Sequence, residues 1–174
     1  MKSILAIGAS MALAAGASAG VLTHTFDLSG LGASGGFFDE FPTIDHNFGV
    51  AGTITAIEFD LNLVANAPSW QSEAIVFVDG SADGLGEFES WISEDYGALN
   101  EPGAFSYSDA FPVDIDSPAG YVAVTLADSF SDDVEPNHVY GDGSFITVTF
   151  TPVPAPGALA LLGLGGVAAL RRRR

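Results

Sequence analysis

The stretch Thr53-Ile-Thr-Ala-Ile-Glu-Phe-Asp-Leu-Asn-Leu63 decides the fold class. From Ala56 onward apolar and polar residues alternate: Ile57, Phe59, Leu61 and Leu63 point one way, and Ala56, Glu58, Asp60 and Asn62 the other. Side chains of an extended chain project to alternate faces, so a period of two describes a strand with one buried and one wet face. A helix needs apolar residues three and four apart, and no long segment of this chain has that spacing.

The alternation recurs on both sides of this stretch. Residues 121–127 put Val122, Val124 and Leu126 on one side, and residues 145–151 turn Ile146, Val148 and Phe150 inward with Thr147, Thr149 and Thr151 outward. Residues 21–28 place Leu22, Phe26 and Leu28 on one face together with His24. Residues 74–78 are apolar at every position, which suits a central strand covered on both faces. Residues 88–92, with Trp91, and residues 104–107 read as shorter strands. Between these runs lie turn-rich stretches at 30–36, 66–72, 79–86, 95–103, 114–120 and 128–143. Short strands punctuated by Gly, Pro, Asn and Asp predict an all-β body, an antiparallel β-sandwich of the jelly-roll kind. No internal repeat is visible, and residues 20–152 are expected to form one domain.

Charge is distributed unevenly. The chain has 174 residues, 22 of them Asp or Glu and only five Lys or Arg. Those five are Lys2 and Arg171 to Arg174, whereas every acid lies between Asp27 and Asp142. Residues 20–152 therefore contain no Lys or Arg. This excludes nucleic-acid binding by counterion release, Schiff-base chemistry, and phosphate or carboxylate clamping by guanidinium. Suitable partners are cations, cation-bridged polymers and neutral surfaces such as glycans. Solubility by self-repulsion and calcium binding are both open readings of the acidity. The absence of Cys removes thiol nucleophiles and thiolate metal sites.

Both ends read as addresses. Lys2 supplies a positive n-region, residues 4–15 an apolar h-region, and Ala17-Ser18-Ala19 a small-residue cleavage site, so residues 1–19 are expected to be a signal peptide. At the other end, Val153-Pro154-Ala155-Pro156-Gly157 precedes an uncharged apolar run at 158–170 and the cluster Arg171, Arg172, Arg173 and Arg174. Thirteen helical residues span roughly 20 Å, short of the roughly 30 Å of bilayer hydrocarbon. The arginines fit the positive-inside rule. The tail, residues 153–174, resembles the PEP-CTERM sorting signal of Gram-negative bacteria, with Ala155 where that motif has Glu. The signal peptide points to export by the Sec machinery and the apolar run to a short, transient transmembrane helix in the inner membrane, while the resemblance implies cleavage near the proline motif. It further implies recognition by an exosortase-type membrane transpeptidase and delivery to the cell surface or extracellular matrix. It covers the tail alone and so carries an address, not an activity.

Few residues in the body suggest chemistry. Asp79, Ser81 and Asp83 place oxygens at the first, third and fifth positions of a calcium-type loop, with Gly84 at the sixth and Glu87 at the ninth, but position twelve is Ser90. A plain Asp-Gly turn explains the same residues. The pairs Asp114 with Asp116 and Asp132 with Asp133 are weaker versions. His24, His46 and His138 lack metal-ligand spacing and read as structural. Trp70 and Trp91 are candidates for stacking on sugar rings, and equally for core positions. Carboxylates near them, Glu73, Glu87 and Glu89, would suit glycoside hydrolysis only as a placed pair. The expectation is a non-enzymatic surface or matrix protein without a cofactor. Calcium is the one metal suggested. A calcium- or carbohydrate-binding module, with extracellular polysaccharide as partner, is the alternative, and a secreted glycoside hydrolase or lyase ranks last.

Overall fold

A computed structural model describes residues 20–33, 42–81, 88–130 and 136–154. Its strands are β1 (Leu22–Asp27), β2 (Gly32–Ala33), β3 (Thr43–Asn47), β4 (Gly52–Ala65), β5 (Ala74–Asp79), β6 (Phe88–Ile92), β7 (Gly103–Ser117), β8 (Tyr121–Asp128), β9 (His138–Tyr140) and β10 (Phe145–Pro152). All the pairings are antiparallel, and they form two sheets. The four-stranded sheet runs β3-β8-β5-β6. The six-stranded sheet is built on β4, which carries β7 along one side and β10 followed by β9 along the other, with β1 beyond β10 and β2 beyond β9.

The stretch that predicts the fold forms the spine of this sheet. Ile57, Phe59, Leu61 and Leu63 are buried, while Glu58 is exposed. A β-bulge extends the buried set. The ladder skips Thr55 on both sides of β4, so even-numbered Ile54 and odd-numbered Ile57 both face inward. One extra residue shifts the parity of every side chain beyond it. The opposite wall is Val76 and Val78 of β5 with Val122, Val124 and Leu126 of β8, in one core with Ile146, Val148 and Phe150 of β10. Each such residue contributes about 1.5–3 kcal/mol when fully buried.

Some segments differ from the sequence expectation. Residues 104–107 and 114–120, read as a weak strand and a loop, belong largely to one strand of fifteen residues, β7. Asp109 breaks its inward alternation of Phe105, Tyr107, Phe111, Val113 and Ile115, and Pro112 resembles a terminator. Proline is tolerated there because β7 lies at a sheet edge. The acidic stretch 128–143 contains β9, the glycine-rich stretch 30–36 contains β2, and residues 43–47 form β3. Strands this short carry too few residues to display a period.

Residues 20–153 make one compact unit. The expected signal peptide, 1–19, and nearly all of the expected sorting tail, 155–174, lie outside the described residues. Among the described residues no helix is long and apolar enough to cross a membrane.

Candidate ligand groove

The turn between β4 and β5 passes through Pro68 and enters a short 3-10 turn, Gln71–Glu73. Trp70 sits at its start with both backbone polar groups engaged. Its N–H donates to Glu73 Oε2 at 2.8 Å. Its carbonyl accepts from the Glu73 N–H at 3.1 Å and faces His138 Nε2 at 2.7 Å. The tryptophan is thus fixed at its root while its side chain points outward.

His138, the first residue of β9, is fully buried against Asp128, the last residue of β8. Nδ1 lies 2.6 Å from Asp128 Oδ2, and both side chains are 0% exposed. A carbonyl can only accept, so Nε2 carries a hydrogen toward Trp70. Breaking a buried pair of this kind costs about 3–5 kcal/mol.

The same pair fixes a second aromatic residue. Asp128 Oδ1 accepts from the Phe130 N–H at 3.0 Å, and the Asn137 side-chain amide donates to the Phe130 carbonyl at 3.1 Å. The Ser129 N–H donates to the Glu73 carbonyl at 2.9 Å. Two loops distant in sequence are therefore joined through one buried centre. Beside it, burial, with Tyr107 and Asp128 adding to it, holds the Tyr140 hydroxyl well above its ordinary pKa.

Above this centre Pro68, Trp70, Glu73 and Phe130 line a groove of about 370 Å³. Trp70 is 44% exposed and Phe130 59%. Small-molecule sites span roughly 300–1,000 Å³, so the groove is at the small end of that range. Among the described residues its lining holds two large aromatic residues and one acidic one.

The other sequence candidates lie elsewhere. Trp91 is 8% exposed, and its ring packs near-parallel to Phe111 with centroids 6.1 Å apart. Asp79 is 5% exposed, and its Oδ1 accepts from the Ser81 N–H at 2.7 Å and the Ser81 hydroxyl at 3.0 Å, closing a local turn. Asp83 and Glu87 lie outside the described residues, as do Asp132 and Asp133. Asp114 and Asp116 lie on the exposed face of β7. Among the described residues no group of three or more His, Asp or Glu is placed to hold a metal ion. Val153 is 58% exposed, and its N–H donates to Ala51 O at 2.9 Å. Ala155, Pro156, Gly157 and Arg171 to Arg174 are outside the described residues.

Sequence reasoning missed two arrangements. The Asp128–His138 pair falls within what reads as a single acidic loop, and nothing in the spacing marks it. His24 and His46, on the outer strands β1 and β3 of the two sheets, stack face to face with centroids 3.7 Å apart. Phe26 meets His24 edge-on and Phe48 meets His46 edge-on.

No family model matches the chain, and no curated protein matches it. Among solved structures it is similar to dimeric latent PorU from Porphyromonas gingivalis. The identity is 12% and the TM-score 0.34, over 76% of this chain and 12% of that one. This chain thus spans a small part of PorU's length, and a likeness at this level carries no argument about fold or activity.

Proposed function

We propose that this chain is an exported, non-enzymatic β-sandwich protein of the jelly-roll kind, sorted by a PEP-CTERM-like tail, whose body binds polysaccharide at the cell surface or in the extracellular matrix. The binding role rests on one observation: Trp70 and Phe130 stay exposed around Glu73 while a buried centre fixes the backbone of both aromatics. Large apolar rings held outward on a fixed backbone suit stacking on the C–H faces of sugar rings. Among the described residues one acidic residue, Glu73, lines the groove, whereas glycoside hydrolysis ordinarily uses two carboxylates across the scissile bond. The anionic body, without Lys or Arg between residues 20 and 152, favours neutral or cationic glycans over acidic ones.

The address rests on the tail's order of proline motif, apolar run and arginines. The compact unit closes at Val153, next to the proline motif, which is consistent with a body that remains folded when the tail is removed. Titration of the full chain with a glycan panel tests the binding role. Binding that Trp70→Ala abolishes is the expected result, and no binding to any member would overturn it. Deleting residues 153–174 should redirect where the protein accumulates; unchanged processing and location would refute the sorting role.

A further inference from the structure

We infer that, while the tail is in the membrane, the body docks on the lipid surface through the end of the sandwich from which the tail leaves. The inference rests on the sorting reading of residues 153–174 and adds a contact surface which that reading does not contain.

The first and last strands of the body bring its two ends together. Leu22 of β1 pairs with Phe150 of β10, and Pro152 pairs with Gly52 at the start of β4. The Val153 N–H then donates to the Ala51 carbonyl at 2.9 Å, next to Val50. The aliphatic residues at this end, Val21, Leu22, Val50 and Val153, are all exposed. The segments that carry them, 20–24, 47–54 and 148–153, contain none of the chain's 22 acids. Asp116, opposite Thr53, borders them.

A lipid surface is the partner that this end fits. Four residues, Pro154-Ala155-Pro156-Gly157, separate Val153 from the apolar run at 158–170. An extended chain advances at most about 3.6 Å per residue, so Val153 stays within about 18 Å of the start of that run. The headgroup layer takes up about 5–8 Å of that reach. Aliphatic side chains beside the tether therefore meet lipid first, and they gain by leaving water. Anionic lipids repel carboxylates, which favours approach by segments that lack them. The groove lies at the other end of β4, whose 14 residues run about 40 Å from Gly52 to Ala65. There Asn66, Trp70 and Phe130 are tied to Asn137 and His138. Docking at the Gly52 end thus holds the groove away from the lipid.

The chain has no Cys, so an introduced cysteine takes a single label. Ala119→Cys, in the turn between β7 and β8, marks the docking end. Leu99→Cys, at a residue whose carbonyl accepts from the Ser72 N–H, marks the far end. The full chain carrying either fluorescent label is reconstituted with vesicles of phosphatidylethanolamine and phosphatidylglycerol that bear a short-range quencher on their headgroups. The label at 119 should be quenched severalfold more strongly than the label at 99. Val50→Asp, at an exposed side chain, should remove most of that difference while the tail keeps the protein on the vesicles. Deleting residues 153–174 should release it. Equal quenching of the two labels overturns the inference and leaves the sorting reading in place. A difference that survives Val50→Asp also overturns the inference, because the tether alone then explains it. A full chain that does not associate with the vesicles removes both readings.

Discussion

The three histidines do different physical work, although the sequence presents them alike. His24 is held below its ordinary pKa of 6.5, first by partial burial and then by the charge of His46 beside it. A base whose folded pKa is depressed contributes stability that is complete above 6.5 and is lost as pH falls through the lower, folded value. Melting temperature should therefore fall as pH drops from about 6.5 toward 5. His24→Phe, which keeps a ring in the stack, should flatten that part of the profile. An unchanged slope would show that the stack does not titrate as described. His138 is fully buried, with Nδ1 2.6 Å from Asp128 Oδ2. Asp128→Ala should cost about 3–5 kcal/mol in a denaturant titration. Tyr140→Phe, which removes a hydroxyl that meets no partner among the described groups, should cost less than about 1 kcal/mol. None of this was legible beforehand. A pairing between residues on different strands leaves no trace in local spacing, and only the fold brings His24 to His46.

At the scale of elements much more was legible. The alternation in β4, β8 and β10 gives strand, face and burial together, because a half-buried strand has to alternate. β5 was legible by its lack of polar residues, which fits its place between β8 and β6. The bulge at Thr55 and the length of β7 were not, since each breaks the period on which such readings depend. Turns are intermediate. Ser117-Pro118-Ala119-Gly120 is visibly a turn, but its constraint appears only in the fold. Gly120 has φ of +79°, and a Cβ there would meet the Val50 backbone oxygen. Its own carbonyl accepts from the Phe48 N–H at 2.8 Å. Gly120→Ala should therefore cost about 1–3 kcal/mol, measured as a shift in the chemical denaturation midpoint. A neutral result would mean that the β7–β8 turn relaxes freely. The groove was half legible. Trp70 stood out as a large aromatic in a turn region, whereas Phe130 stood in an acidic stretch with no pattern around it.

For the whole molecule, charge asymmetry matters most. With 22 acids and no Lys or Arg between residues 20 and 152, the folded body has no internal Lys or Arg salt bridge to lose and a large repulsion to relieve. Added salt screens charges beyond about 8–10 Å at moderate ionic strength. The melting temperature should therefore rise from low to moderate salt, by a few degrees for each 1 kcal/mol of repulsion removed. A flat dependence would imply that the acids lie too far apart to interact.

The same acids bear on β7. Among the described residues β7 pairs with β4 alone, which leaves one side of a fifteen-residue strand open as a template for another chain. A second copy paired there would bring further carboxylates close to Asp109, Asp114 and Asp116, which lie exposed along β7. Pairing of two copies through this edge is thus opposed by ionisation. The barrier weakens wherever the carboxylates are neutralised, so acid, or a dense supply of divalent counter-ions, would turn a discrete molecule into one able to pair through this edge.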